Sequence, residues 1–110
     1  MPRYMHQFTY SLDSMQAMAA KPQDRKKAAK KLFAAAGGRL VDLYFCFGDY
    51  DGVAISEFPS NVDAASAILA AGASGAFATM KTTVLITMDE AKDAMAKAGK
   101  VTGSYSPPAG

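Results

Sequence analysis

The sequence predicts an α+β fold of βαββαβ order, with a four-stranded antiparallel sheet and its two long helices on one face. Three observations predict it. Four segments are rich in aromatic and β-branched residues, two Ala-rich segments repeat apolar residues at helical spacing, and Gly48-Asp49-Tyr50-Asp51-Gly52 is typical of a hairpin turn. The chain has 110 residues, which is enough for one core. We therefore expect one domain over residues 1–99 and a flexible tail over 100–110.

The first third of the chain predicts one strand and two helices. Tyr4–Tyr10 places aromatic residues at alternate positions, as a strand with one aromatic face does. Asp13 followed by Gln16 indicates a capping box, so we expect a short helix to begin at Ser14. A longer helix is expected over Gln23–Ala36, since two glycines follow it. Its predicted buried stripe consists of Ala28, Ala29, Leu32, Ala35 and Ala36.

The central segment predicts a hairpin followed by a second long helix. Arg39–Phe47 and Val53–Phe58 are the expected strands on either side of the glycine-flanked turn. Ser60 with Asp63 indicates a helix cap, and the helix is expected to end at Gly72. Its predicted buried stripe consists of Val62, Ala65, Ile68 and Leu69.

The last segment predicts a fourth strand over Phe77–Thr87 and a C-terminal helix. Thr87 and Glu90 form the expected cap of that helix, which should end at Gly99. With right-handed crossovers, the first and third strands lie in the middle of the sheet. The element order is that of a ferredoxin-like domain.

The alternation of side chains divides the sheet into a helix-covered face and an open face. The set expected under the helices consists of Val41, Leu43, Phe45, Phe47, Val53, Ile55, Met80, Thr82, Val84 and Ile86. The set expected on the open face consists of Leu40, Asp42, Tyr44, Cys46, Ala54, Ser56, Phe58, Thr79, Lys81, Thr83 and Leu85. That mixed face is too apolar to stay bare, so we expect a second copy of the chain to cover it. The paired faces would enclose a semi-polar cleft for a small molecule.

Composition and charge narrow the classes of partner. The formal net charge is only +2, so positive and negative charges are too nearly balanced to indicate a polyanionic partner. The lysine-rich run Lys21–Lys31 is typical of the solvated face of a helix, so nucleic acid is not the expected partner. No apolar segment is long enough to span a bilayer, and one cysteine suits a reducing compartment, so a cytoplasmic protein without membrane partners is expected.

Few residues have the chemistry of an active site. His6 is the single imidazole and the one candidate general base. If it shares the face of Tyr4 and Phe8, it lies under the helices rather than in the cleft. The predicted ligand-binding residues are Asp42, Tyr44, Tyr50 and Asp51. No metal-ligand spacing or cofactor motif is present, and neither a metal nor a cofactor is expected.

The turn also carries a family resemblance. Gly48, Tyr50 and Asp51 resemble the signature of the GYD domain family, and the likeness extends over roughly residues 1–98. The resemblance implies a dimeric α/β barrel of ferredoxin-like fold whose biochemical role is unassigned. Gly52 departs from the usual pattern, where bulkier residues are common, and His6 with Gln7 departs from a more apolar first strand.

Two functions follow from these observations. One is a homodimeric small-molecule-binding or structural protein. It is favoured by the mixed sheet face and by the lack of a recognisable combination of catalytic residues. The alternative, implied by the resemblance of fold, is a cofactor-independent oxygenase or isomerase acting on a small organic substrate. In that enzyme His6 would remove a proton while Asp42, Tyr44 or Tyr50 orients the substrate.

Overall fold

A computed structural model describes all 110 residues. Its elements are β1 (Arg3–Tyr10), α1 (Leu12–Ala20), α2 (Lys26–Ala35), β2 (Arg39–Phe45), β3 (Gly52–Glu57), α3 (Asn61–Ala73), β4 (Phe77–Leu85) and α4 (Met88–Val101), followed by a single 3₁₀ turn (Thr102–Ser104). The predicted order of strands and long helices is confirmed. The expectation of a flexible tail beyond residue 99 stays a prediction.

The four strands form one antiparallel sheet in the order β2-β3-β1-β4. This confirms the α+β, ferredoxin-like prediction, including the central positions of β1 and β3. The sheet is open at β2 and β4 and does not close into a barrel. The helices α2 and α3 pack on the same face, where the core lies. The core side chains are Tyr4, Phe8, Phe33, Leu40, Ala54, Phe58, Ala64 and Ala67.

The face assignment is right for β4 and wrong for β3. The register pairs Met80 with Phe8 and Val84 with Tyr4, which places the predicted residues of β4 on the helix side. In β3, Ala54, Ser56 and Phe58 are buried beneath the helices, whereas Val53 and Ile55 were predicted there and lie on the open face. Small side chains in β3 leave room for the aromatic rings of its neighbours, and this need outweighs the hydrophobicity of Val53 and Ile55.

A β-bulge explains why the prediction for β2 was only partly right. The register shifts by one residue between Leu40 and Asp42, so a single alternation does not hold along the strand. Leu40 turns inward and is 7% exposed, although it was predicted on the open face. Phe45 and Phe47 were predicted to be buried, yet they are 66% and 94% exposed at the end of the edge strand.

The helices nearest the N-terminus begin at other residues than predicted. Ser11, not Asp13, caps α1, because the Ser11 hydroxyl accepts a hydrogen bond from the amide of Ser14. The second helix begins at Lys26, and its buried residue is Phe33, which the predicted stripe omitted. Ala29, Leu32 and Ala36 of the predicted stripe are partly buried against the core, whereas Ala28 and Ala35 are exposed.

The predicted stripe of α3 contains none of the three residues that the helix buries. Ser60 caps this helix as predicted. The helix turns alanines toward the sheet, namely Ala64, Ala67 and Ala71, while Val62 and Leu69 are left outside. Only small side chains allow the helix backbone to approach the sheet closely, so volume decides the buried face here.

The C-terminal helix α4 begins with the predicted capping box between Thr87 and Glu90. It does not end at Gly99 but continues to Val101. None of its residues is buried. The radius of gyration is 17.8 Å, compared with about 13 Å for a compact chain of this length. The helix therefore projects from the domain and exposes an apolar stripe that includes Met88 and Met95.

The loop between β2 and β3 closes the predicted hairpin and also contacts β1. Gly48 has a φ of 143°, a conformation that glycine adopts without strain. The amide of Asp51 donates to the carbonyl of Phe8 at 2.8 Å, and the Asp51 carboxylate accepts from the amide of Tyr10 at 2.9 Å. At Gly52 a Cβ atom would overlap the Phe8 ring. The loop thus fixes the end of β1.

Candidate functional site

A cavity of about 440 Å³ lies between the helix-covered face of the sheet and the helices α1, α2 and α3. This volume falls within the range of roughly 300–1,000 Å³ that small-molecule sites occupy. Of the 21 lining residues, 16 are hydrophobic, so the cavity suits a ligand with an apolar body. The floor comes from all four strands, and α1 forms part of the roof although it buries no residue of its own.

Three aromatic rings form one wall of the cavity. The rings of Phe8 and Phe77 meet edge to face with centroids 5.1 Å apart, and Tyr10 stacks on Phe77 at 5.4 Å. Aromatic rings in these arrangements give a rigid apolar surface. Burial raises the pKa of Tyr10, which is partly offset by the nearby charge of Arg25. The Tyr10 phenol is therefore a neutral hydrogen-bonding group at physiological pH.

His6 lies at the floor of the cavity, on the face of Tyr4 and Phe8, and is 2% exposed. Its Nε2 atom lies 2.6 Å from the Ser56 hydroxyl oxygen, and its Nδ1 atom lies 2.9 Å from the Thr82 hydroxyl oxygen. The ring of Phe33 packs edge to face against the imidazole at 5.5 Å. Burial lowers the pKa of His6 to about 4, so the imidazole is neutral at pH 7.

The cavity opens toward the segment between α1 and α2, where Gln23 and Arg25 line it. A second depression of about 470 Å³ continues outward from this mouth, sharing Arg25 and Tyr10 with the cavity and ending beside Tyr44 and Phe45. We call this second depression the outer groove. Five residues line both spaces, namely Tyr10, Met18, Gln23, Arg25 and Leu43, so the cavity and the groove adjoin. We call the two together the path.

The structure separates the four predicted ligand-binding residues into two pairs. Asp42 and Tyr44 lie on β2, where the Tyr44 hydroxyl donates to the Asp42 carboxylate at 2.8 Å. This hydrogen bond lowers the pKa of Asp42 and raises that of Tyr44. Tyr44 lines the outer groove. Tyr50 and Asp51 lie in the loop instead, where the Tyr50 carbonyl accepts from the Cys46 thiol and Asp51 binds the backbone of β1.

The open face of the sheet, opposite the cavity, has an apolar centre and a charged end. Half-buried apolar side chains occupy its middle, from Met5, Val53, Ile55 and Leu85. At one end the Glu57 carboxylate accepts from Arg3 at 2.9 Å and from Arg39 at 2.8 Å. These hydrogen bonds lower the pKa of Glu57. Neither the cavity nor the outer groove lies on this face.

Three residues that line the path were not predicted as ligand contacts, namely Tyr10, Gln23 and Arg25. Tyr10 carried a signal, because it shares the alternation of Tyr4 and Phe8. Arg25 belonged to a run of basic residues typical of a solvated surface, and nothing in that run distinguished it. Arg25, Lys27, Lys30 and Lys31 are all exposed, and Arg25 is the one of the four that lines the cavity.

Two further features bear on the kinds of chemistry available. No three His, Cys, Asp or Glu side chains come together in a way that could hold a metal ion. No helix combines the length and the apolar composition required for a membrane span.

Comparison with known proteins gives a family and a fold. The sequence model of the family described as GYD domain matches residues 4–95. No curated protein matches the chain. Among solved structures, the protein TTHA0845 from Thermus thermophilus is similar, with a TM-score of 0.52 and 14% identity over 79% of this chain and 95% of that one.

Two other solved structures are similar at the same level. FFRP-DM1 has a TM-score of 0.51 and 14% identity, covering 78% of this chain and 100% of its own. MtbAldR has a TM-score of 0.51 and 14% identity, covering 78% of this chain and 52% of its own. At this identity the likeness concerns the ferredoxin-like fold.

Proposed function

This chain belongs to the GYD domain family, and we propose that it is a homodimeric small-molecule-binding protein whose ligand lies between the sheet and the helices. The observation that carries the proposal is the cavity of about 440 Å³ beneath α1, α2 and α3. A cavity of this size in a small domain forgoes packing contacts that would otherwise stabilise the fold. A ligand that fills it restores those contacts.

The lining favours binding by burial and shape. The aromatic wall of Phe8, Tyr10 and Phe77 offers ring faces and edges to a flat or branched apolar body. A few polar groups lie at the mouth, where they can orient the ligand. Tyr44 borders the outer groove and is proposed to contact the end of a longer ligand, held in place by Asp42.

Binding is favoured over the alternative of a cofactor-independent oxygenase or isomerase. A general base works best when its pKa lies near the working pH. The pKa of His6 is about 4, and both of its ring nitrogens are engaged by the hydroxyls of Ser56 and Thr82. The proposed role of His6 is therefore structural: it forms a buried hydrogen-bonded cluster with Ser56 and Thr82 in the cavity floor.

The open face supports the homodimer. Its half-buried centre, Met5, Val53, Ile55 and Leu85, is flanked by charged groups such as Lys81 and Glu57. An apolar centre with a charged rim is typical of a protein interface. The projecting stripe of α4 is a second apolar surface that one chain leaves uncovered. Both features favour a second copy as the partner.

The binding site can be tested with an uncharged fluorescent probe. We expect N-phenyl-1-naphthylamine to bind wild-type protein with enhanced fluorescence and to raise its melting temperature. Ala28→Phe should abolish this binding, because Ala28 is exposed on α2 and lines the cavity, so that a phenyl ring there fills the space.

The matched control is Ala34→Phe, the same change on the same helix at an exposed position that does not line the cavity. We expect this variant to bind the probe as wild type does. Equal binding by both variants, or no binding by wild-type protein, would contradict the proposed site.

A further inference from the structure

Arg25 occupies the junction between the cavity and the outer groove, and it lines both. Its one side-chain hydrogen bond runs from Nη1 to the Oε1 atom of Gln23 at 2.8 Å. No carboxylate lies within ion-pairing distance of the guanidinium, whereas Arg3 and Arg39 both pair with Glu57. The positive charge at this junction is uncompensated.

The acidic groups near the junction are already engaged. Asp24 accepts from the amide of Lys26 at 2.8 Å, and Asp42 lies 3.9 Å from the Lys26 ammonium. Asp51 accepts from the backbone of Tyr10. None of these contacts involves Arg25, so the guanidinium keeps most of its donors available on the path into the cavity.

We infer that the ligand is an apolar molecule ending in an anionic oxygen group, which Arg25 binds at the mouth while the apolar body fills the cavity. The inference rests on the proposed function and specifies its ligand class. A guanidinium presents a planar fork of donors that matches a carboxylate or a phosphate in two parallel hydrogen bonds. Beside it, the Gln23 amide nitrogen donates to the Lys21 carbonyl at 3.3 Å and keeps a second N–H for the same group.

Two fluorescent probes with the same aromatic rings, one charged and one neutral, separate the contribution of charge to the binding affinity from that of apolar contact. The probe 8-anilinonaphthalene-1-sulfonate differs from N-phenyl-1-naphthylamine by its sulfonate. Hydrogen bonds between Arg25 and the sulfonate are partly screened by solvent at the exposed mouth. Bonds of this kind correspond to an affinity about 10-fold higher for the sulfonate probe than for the uncharged probe. We therefore expect fluorescence titration to give the sulfonate probe a Kd about 10-fold lower at low salt.

The variant Arg25→Gln should remove that preference, so that the two probes bind it with similar Kd values. Lys27→Gln is the matched control, because Lys27 is exposed in the first turn of α2, two residues after Arg25, and lines neither the cavity nor the groove. It should retain the preference. If Lys27→Gln weakens binding of the sulfonate probe as much as Arg25→Gln does, the preference reflects only the net positive charge of this region, and the inference fails.

Competition identifies the anionic group. Decanoate and decyl phosphate should each displace N-phenyl-1-naphthylamine better than decan-1-ol does, and the tighter of the two shows whether a carboxylate or a phosphate is preferred. If the alcohol competes as well as both anions while Ala28→Phe still abolishes binding, the apolar site stands and the inference is wrong. If wild-type protein binds neither fluorescent probe, the proposed function fails as well.

Discussion

The Nε2 atom of His6 lies 2.6 Å from the hydroxyl oxygen of Ser56 beneath the helices, and both side chains are almost fully buried. The sequence left the face of His6 open, and it predicted Ser56 on the other side of the sheet. Their pairing makes the single histidine a structural group whose neutral form the fold requires.

The buried imidazole predicts that stability falls in mild acid. The pKa of His6 is about 4 in the folded protein and 6.5 as its ordinary value, so the unfolded chain binds more protons between these values. The contribution of neutral His6 to the free energy of unfolding is therefore fully present above pH 6.5. The free energy of unfolding should fall by about 3 kcal/mol as the pH approaches 4. Urea denaturation at a series of pH values measures this.

The control is His6→Gln, which keeps a hydrogen-bonding side chain and removes the titrating group. We expect a nearly flat profile between pH 6.5 and pH 4.5 for this variant. The lowered pKa values of Asp42 and Glu57 also reduce stability below about pH 5. They do so equally in both proteins, so the difference between the two profiles isolates His6. A wild-type profile as flat as that of the variant would show that His6 titrates normally.

Gly52 is predicted to be intolerant of any side chain. A Cβ atom at this position overlaps the Phe8 ring, so Gly52→Ala should lower the free energy of unfolding by about 1–3 kcal/mol. Chemical denaturation of Gly99→Ala provides the contrast, since no atom lies within 4 Å of the added methyl group in α4. That variant should be stabilised by roughly 0.5–1 kcal/mol. Equal effects of the two changes would refute the packing argument.

Asp51 is predicted to act on stability through the backbone of Tyr10. Asp51→Ala removes the acceptor of the Tyr10 amide, at 2.9 Å, and should lower the free energy of unfolding by about 1–3 kcal/mol. Thermal or urea denaturation checks this. The comparison variant is Asp49→Ala, because Asp49 is exposed and makes no side-chain hydrogen bond. Similar losses in both variants would mean that the Asp51 contact contributes nothing specific.

The open face predicts a dimer that a single charge can disrupt. Sedimentation velocity at micromolar concentration should show a dimer for wild-type protein and a monomer for Val53→Lys, since Val53 lies near the centre of that face. Leu69→Lys serves as the control, because Leu69 is 73% exposed on α3, away from the sheet. It should remain dimeric. A monomeric wild-type protein would contradict the predicted interface.

Much of the fold was predictable from the sequence because local signals agreed with one another. Capping residues such as Ser60 and Thr87 marked helix starts correctly, and the glycine-flanked turn placed the hairpin. The faces of β2 and β3 were less predictable. A bulge after Leu40 leaves no trace in an alternation pattern, and the burial of Ser56 depends on its partner His6, 50 positions earlier in the chain.

The candidate site was harder to predict than the fold. Its cavity lies between three helices and the sheet, and the residues that line it are mostly alanines and aromatics, which are typical of an ordinary core. Other cations, such as Lys27 and Lys30, also lack a carboxylate partner. Arg25 differs from them because it lines both the cavity and the outer groove, which is a property of three-dimensional placement. Of the predicted ligand residues, Tyr44 lines the path to the surface.

The most direct test of a ligand site beneath the helices is an NMR titration of ¹⁵N-labelled protein with N-phenyl-1-naphthylamine. A ligand bound there should change the chemical shifts of the His6 imidazole, which is the only one in the chain, and of the amides of Ala28, Ala71 and Phe77 around the cavity. Changes confined to the open face, at residues such as Gln7 and Thr83, would contradict a ligand site between the sheet and the helices.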